Sequence, residues 1–197
     1  MGQIDIAVQR QTSARTSLRI EGRLRPGWCG SLATGLANLE VDIVRGQASA
    51  VAAGIWRGEF ELSPARTGVI SVAELGRMLE APAVAGFTSP IELVDYRLEP
   101  VSSFGGSLHL EVAALDRVGL LAALLRRLAY HALFPAVLRL ETVDRLARDE
   151  LWLRSTGGSV PPAGTARAVT ASLDSLVRSR EVRPAGWTPG RTPPYDG

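Results

Sequence analysis

Apolar positions along the chain change period at one joint. Leu108, Leu110 and Val112 alternate with His109, Glu111 and Ala113, which predicts a strand with one buried face. Beyond it Leu121, Leu124, Leu125 and Leu128 fall at i, i+3, i+4 and i+7, one apolar stripe of a helix that turns Arg126 and Arg127 to water. The joint itself is Asp116-Arg117-Val118-Gly119-Leu120. An acidic residue and a glycine at a strand-to-helix switch leave the first helical amides uncovered, where a small polar ligand can approach the backbone. The same plan occurs earlier. Leu18, Ile20 and Leu24 lead into Arg25-Pro26-Gly27-Trp28, and Leu32 and Leu36 continue as a helical stripe. With Gly27 laid on Gly119, an offset of 92 residues, Leu18 matches Leu110, Ile20 matches Val112, Leu32 matches Leu124 and Leu36 matches Leu128. Two diverged copies of one unit follow.

The remaining pattern fills in the units. Ile4, Ile6 and Val8 alternate with Asp5, Ala7 and Gln9, a short strand ahead of both copies. Residues 41–51 and 54–62 carry two strands that Ala52-Ala53-Gly54 can turn into a hairpin. Ser71 and Glu74 have the spacing of a capping box, which opens a helix that Pro82 ends. Residues 91–98 supply another strand, so the first copy reads β-α-β-β-α-β, the ferredoxin-like order. Phe104-Gly105-Gly106 separates the copies. In the second copy, residues 136–143 and 148–155 are strands, and Thr165 caps a helix with the stripe Val169, Leu173, Leu176 and Val177. After Arg178, prolines and glycines (Pro184, Gly186, Pro189, Gly190, Pro193, Pro194) cannot extend a sheet, so the second copy lacks its last strand. The expected division is an N-terminal strand plus first unit over 1–104, a second unit over 105–178 and a tail over 179–197. Residues 3–10 are expected to cross over and complete the second sheet, whose backbone groups would otherwise lack partners.

A strand, then D-R-x-G, then a leucine-rich helix and a strand hairpin resembles the opening of an ACT domain, a small regulatory module that usually carries D-R-P-G at this turn. Val118 stands where the family commonly has proline, so the turn loses a fixed φ. The likeness extends over residues 17–178. It implies an α+β protein of two ferredoxin-like βαββαβ ACT units packed as one body, antiparallel sheets with helices on one face. It also implies an amino-acid site at a unit interface, to which the first loop of one or both copies contributes. Those loops are Arg25, Pro26, Gly27 and Trp28, and Asp116, Arg117, Val118, Gly119 and Leu120. The competing reading is that both glycines serve only to pack the turn. With no output domain visible, such a regulator acts on a partner protein or through its own oligomeric state. A homodimer is expected, because the edges of two four-stranded sheets need covering. Two readings from other classes are a ligand-free assembly module and a small biosynthetic enzyme using the same cleft.

Composition narrows the chemistry. With 46% hydrophobic residues in 197 the chain can bury a proper core. All 22 basic residues are arginine, scattered without an aromatic-studded stripe, and the formal charge is only +2, so nucleic acid is not an expected partner. No run reaches the ~18 apolar residues of a membrane helix. Cys29 is the single cysteine, which excludes an internal disulfide and a multi-cysteine zinc site and suits a cytoplasmic protein. A thiol at a helix start can have a lowered pKa, but a small buried helix residue is the simpler reading. His109 fits an exposed strand position and His131 a helix end, neither needing a function. Asp149 and Glu150 are adjacent in a strand and point to opposite faces, which argues against a paired-carboxylate site. No cofactor, metal or catalytic residue is expected.

Overall fold

The computed structural model describes residues 4–12, 14–64, 70–81 and 90–177. In chain order the elements are β1 (Ile4–Thr12), β2 (Arg15–Arg23), α1 (Trp28–Asn38), β3 (Val41–Ala52), β4 (Ile55–Pro64) and α2 (Val72–Glu80). They continue as β5 (Leu93–Val101), β6 (Ser107–Leu115), α3 (Leu120–Tyr130), β7 (Leu133–Val143), β8 (Leu146–Ser155) and α4 (Ala163–Asp174). All eight strands form one antiparallel sheet in the order β1-β2-β4-β3-β7-β8-β6-β5. The fold is α+β, two ferredoxin-like units sharing that sheet.

The sheet has one dry face. Leu18, Ile20, Leu110, Val112, Leu138 and Leu151 join Leu32, Leu36, Leu75, Leu124 and Leu173 of the helices in a single buried cluster. Alternate strand positions instead carry cross-strand arginine–glutamate pairs, including Arg19–Glu59 at 2.9 Å, Arg57–Glu21 at 2.9 Å and Arg45–Glu141 at 2.7 Å. This is the period of two expressed as a core face and a solvent face.

The repeat is faithful in space. Under the offset of 92, β2 falls on β6 and α1 on α3 residue for residue. The halves join through β3 and β7, where Gln47 lies opposite Arg139, its own counterpart in the repeat. A local two-fold axis therefore passes through that pair.

Strand assignment differs from the sequence expectation at both edges. β1 does not cross to the second unit; it pairs with β2, from Ile4↔Gly22 to Thr12↔Arg15. β5, read as the last strand of the first copy, pairs with β6, from Leu93↔Ala114 to Val101↔Ser107. Both pairings are hairpins, whose short loops cost little closure entropy compared with a crossover past a neighbouring unit. Each half is thus completed by the strand that precedes it in the chain. Phe104-Gly105-Gly106 lies inside the second half, in the turn between β5 and β6.

Local signals account for most helix ends. Ser71 Oγ accepts from the Glu74 amide at 3.2 Å, and the Glu74 carboxylate accepts from the Ser71 amide at 3.0 Å, completing the capping box. α4 instead starts at Ala163 after Pro162, with no side-chain cap, so Thr165 is not its cap. Gly35 is where α1 meets α2: a Cβ there would sit 2.6 Å from Met78 Sδ. Close approach offsets the helix-weakening glycine. Among the described residues no helix is long and apolar enough to cross a membrane. The expected tail, 179–197, lies outside the described residues.

Candidate functional site

Gly27 and Gly119 have φ of 82° and 86°, so both turns are left-handed and both need glycine. Each glycine is the N-cap of the helix that follows, with no side-chain cap, and the first helical amide, of Trp28 or Leu120, donates to the Arg25 or Arg117 carbonyl at 3.2 or 3.0 Å. Because β3 and β7 run antiparallel, the start of each of these helices faces the far half of the other. Two clefts related by the local two-fold result.

The first cleft is open. Pro26, Gly27 and Trp28 border a cavity of about 740 Å³ whose far wall comes from the second half, including Leu125, Arg126 and Phe134. Trp56 closes the side, its ring edge-on to Trp28 at 5.5 Å. Trp28 itself is 2% exposed, because it also serves as core. Arg25 points elsewhere: its Nε donates to the Leu79 carbonyl at 3.3 Å and its Nη2 to Ser31 Oγ at 2.6 Å, binding the loop to α2 and α1. Cys29 is buried, and burial pushes its thiol up to about 12, which makes it an inert core residue.

The second cleft is shut. Asp116, Arg117, Gly119 and Leu120 border a space of about 20 Å³, with Asp42 of β3 and Asp149 of β8 beside them. Burial, with the neighbouring Asp116 charge, pushes Asp42 up to about 6. Asp149 is 6% exposed, and burial followed by the charges of Asp116 and Asp42 pushes it up to about 7. Arg117 Nη2 lies 3.8 Å from Glu92 Oε2, and Val118 is half-buried and borders neither cleft. The two candidate loops therefore border separate clefts.

Sequence reasoning missed the residues that make the clefts differ. Asp42 was read only as part of a strand, and Asp149 was seen to oppose Glu150 in direction, which holds: Glu150 is on the open face, 3.7 Å from Arg139. His109 is not exposed; it is 8% accessible and stacked on Trp152 at 4.4 Å. His131 is the C-cap of α3, with its ring against Tyr130. Among the described residues no group of three His, Cys, Asp or Glu is placed to hold a metal ion.

No family model and no curated protein matches the chain. Among solved structures, the crystal structure of aspartate kinase from Synechocystis is similar over 82% of this chain and 27% of that one, at 16% identity and a TM-score of 0.44. The chain thus spans about a quarter of that protein's length.

Proposed function

We propose that the chain is a regulatory protein of ACT type that binds a small molecule, an amino acid, in the open cleft between its two halves. One observation carries this reading: a cavity of about 740 Å³ brings the uncapped start of α1 together with an apolar wall from the other half. The positive end of the α1 dipole suits a carboxylate. Trp28, Trp56, Leu125 and Phe134 suit an apolar side chain. Because the walls belong to both halves, occupancy favours one relative placement of the halves, and a partner protein or a second copy can read that difference. The shut cleft offers no comparable space, so one ligand per chain is expected.

Calorimetry of the protein against the twenty amino acids tests the proposal. An apolar amino acid should bind, raising unfolding free energy by about 2.7 kcal/mol at a hundred times its dissociation constant. Replacement of Ala129, exposed on the same cavity wall, by Trp should abolish binding while the fold survives. If no amino acid binds, or if A129W leaves binding unchanged, the cleft is not an amino-acid site.

A further inference from the structure

The open face of the sheet carries a second asymmetry. In the first half Ser17, Glu61 and Arg45 continue the polar pattern, with Arg15 paired to Glu61 at 3.3 Å. The equivalent positions in the second half are His109, Trp152 and Val137, adjacent on β6, β8 and β7. Here the His109 ring stacks on Trp152 at 4.4 Å, and Arg139 lies over Trp152 at 5.3 Å. Phe104, half exposed and in left-handed backbone, sets its ring edge-on to Trp152 at 5.7 Å. These residues border a trough of about 820 Å³.

Two features define what the trough would take. The charges around it are already matched: Arg57 to Glu21, Glu59 to Arg19, Glu99 to Arg97 and Arg139 to Glu150. A charged ligand would meet no uncompensated partner. His109 Nε2, by contrast, is buried with no hydrogen-bond partner, on a side chain only 10% exposed. A buried polar atom without a partner is costly and calls for an explanation. The Glu111 carboxylate lies 3.8 Å from Nδ1, on the other side of the ring, so Nε2 is the nitrogen left to meet a ligand.

We infer that the trough beside His109 and Trp152 is a binding site for an uncharged aromatic molecule with one hydrogen-bond donor, a phenol or an indole. The ring packs against Phe104, Trp152 and Val137, and the donor reaches His109 Nε2. Phe104 and Val137 border both this trough and the open cleft, whereas His109 and Trp152 line the trough and not the cleft, so those two residues define the site.

The test uses phenol and anisole, which share the ring and its oxygen, a methyl group in anisole replacing the donor hydrogen. Protein labelled with ¹⁵N in its imidazoles and indoles is titrated with each while the His109 nitrogens and the Trp152 indole resonance are followed. Phenol should shift the His109 Nε2 resonance saturably, and anisole should bind about tenfold more weakly, the worth of one hydrogen bond. His109→Phe should erase the preference. Ser49→Trp, on the trough floor and away from the histidine, should weaken both ligands without altering the imidazole resonances of the free protein. The inference fails if phenol and anisole bind alike, if neither binds saturably at millimolar concentration, or if shifts appear at Trp28 and not at Trp152.

Discussion

The two clefts are copies of one design that now differ at each position that counts. Leu24 of the open cleft corresponds to Asp116 of the shut one, and Phe134 to Asp42, under the same offset of 92. Gly58 and Asp149 also correspond, since they lie opposite the matched residues Ala48 and Leu140. Trp56 and Ala147, opposite Ala50 and Thr142, form the next matched pair. Three positions that are apolar or small on one side are thus carboxylates on the other. An apolar wall needs only to be kept dry. Clustered buried carboxylates resist ionisation, and Asp42 and Asp149 are both pushed up by burial and by the charge of Asp116. The backbone frame is the same in both, with Leu24 and Asp116 each donating to the carbonyl of the neighbouring hairpin, Gly54 or Arg145, at 3.0 and 2.9 Å. Side chains, not the chain path, decide which cleft has room.

The largest effect should come from the walls. Trp28→Ala removes a fully buried ring shared between core and cavity and should cost about 4 kcal/mol in urea unfolding, against about 3 for Leu120→Ala at the matched position. A smaller loss for Trp28→Ala would mean that the open cleft is not held apart by its aromatic side.

Next in size is a pH dependence confined to the shut cleft. The folded state raises Asp149 to about 7 and Asp42 to about 6, above their ordinary value of 3.8. Between about pH 4 and 7 the folded chain therefore binds more protons than the unfolded one, so this contribution is complete below pH 4 and is lost as pH rises through 7. Asp149→Asn should flatten that slope and stabilise the protein at pH 8 by on the order of 3 kcal/mol. Glu21 and Glu74 act in the opposite sense below their ordinary value of 4.5, held down by Arg57 and by the Ser71 amide. A D149N protein that keeps the wild-type slope in pH-resolved denaturation would locate the protons elsewhere.

A third measurement asks where the halves remain alike. Gly27→Ala and Gly119→Ala should each cost about 1–2 kcal/mol, because both force an L-residue into left-handed backbone. Unequal costs beyond a factor of two would show that one turn is relieved by its surroundings. The smallest effect belongs to the open face: Arg45→Ala, an exposed partner of Glu141 across the joint between the halves, should change stability by roughly 0.5 kcal/mol or less. A larger loss would make that ion pair part of what joins the units.

Much of the fold was legible in the sequence because it is written locally. The alternation at Leu108–Val112, the stripe at Leu121–Leu128, the Ser71–Glu74 box and the repeated glycine turn each depend on residues a few positions apart. Pairing is not written that way. The alternation of Ile4, Ile6 and Val8 says that one side of the strand is buried but is silent about the neighbour, and counting strands sent it to the wrong half. The clefts were half legible: Gly27 and Gly119 marked the turns, while Asp149 looked like any strand carboxylate until Cys29, Asp42 and Asp116 were seen around it. A signal was available, since a single acidic residue among Ala147, Leu151 and Leu153 on the inward register is a charge in a dry place.

The residue pair on the local axis bears on why the halves share one chain. In a symmetric pair of separate first halves, Gln47 would face another Gln47, which is neutral and tolerable. In a pair of second halves, Arg139 would face Arg139, two like charges directly opposed across neighbouring strands. Covalent linkage guarantees the mixed pairing, Gln47 against Arg139, at every molecule. It also frees each half to accumulate its own substitutions, where a true homodimer would have to carry any change twice, in both clefts at once.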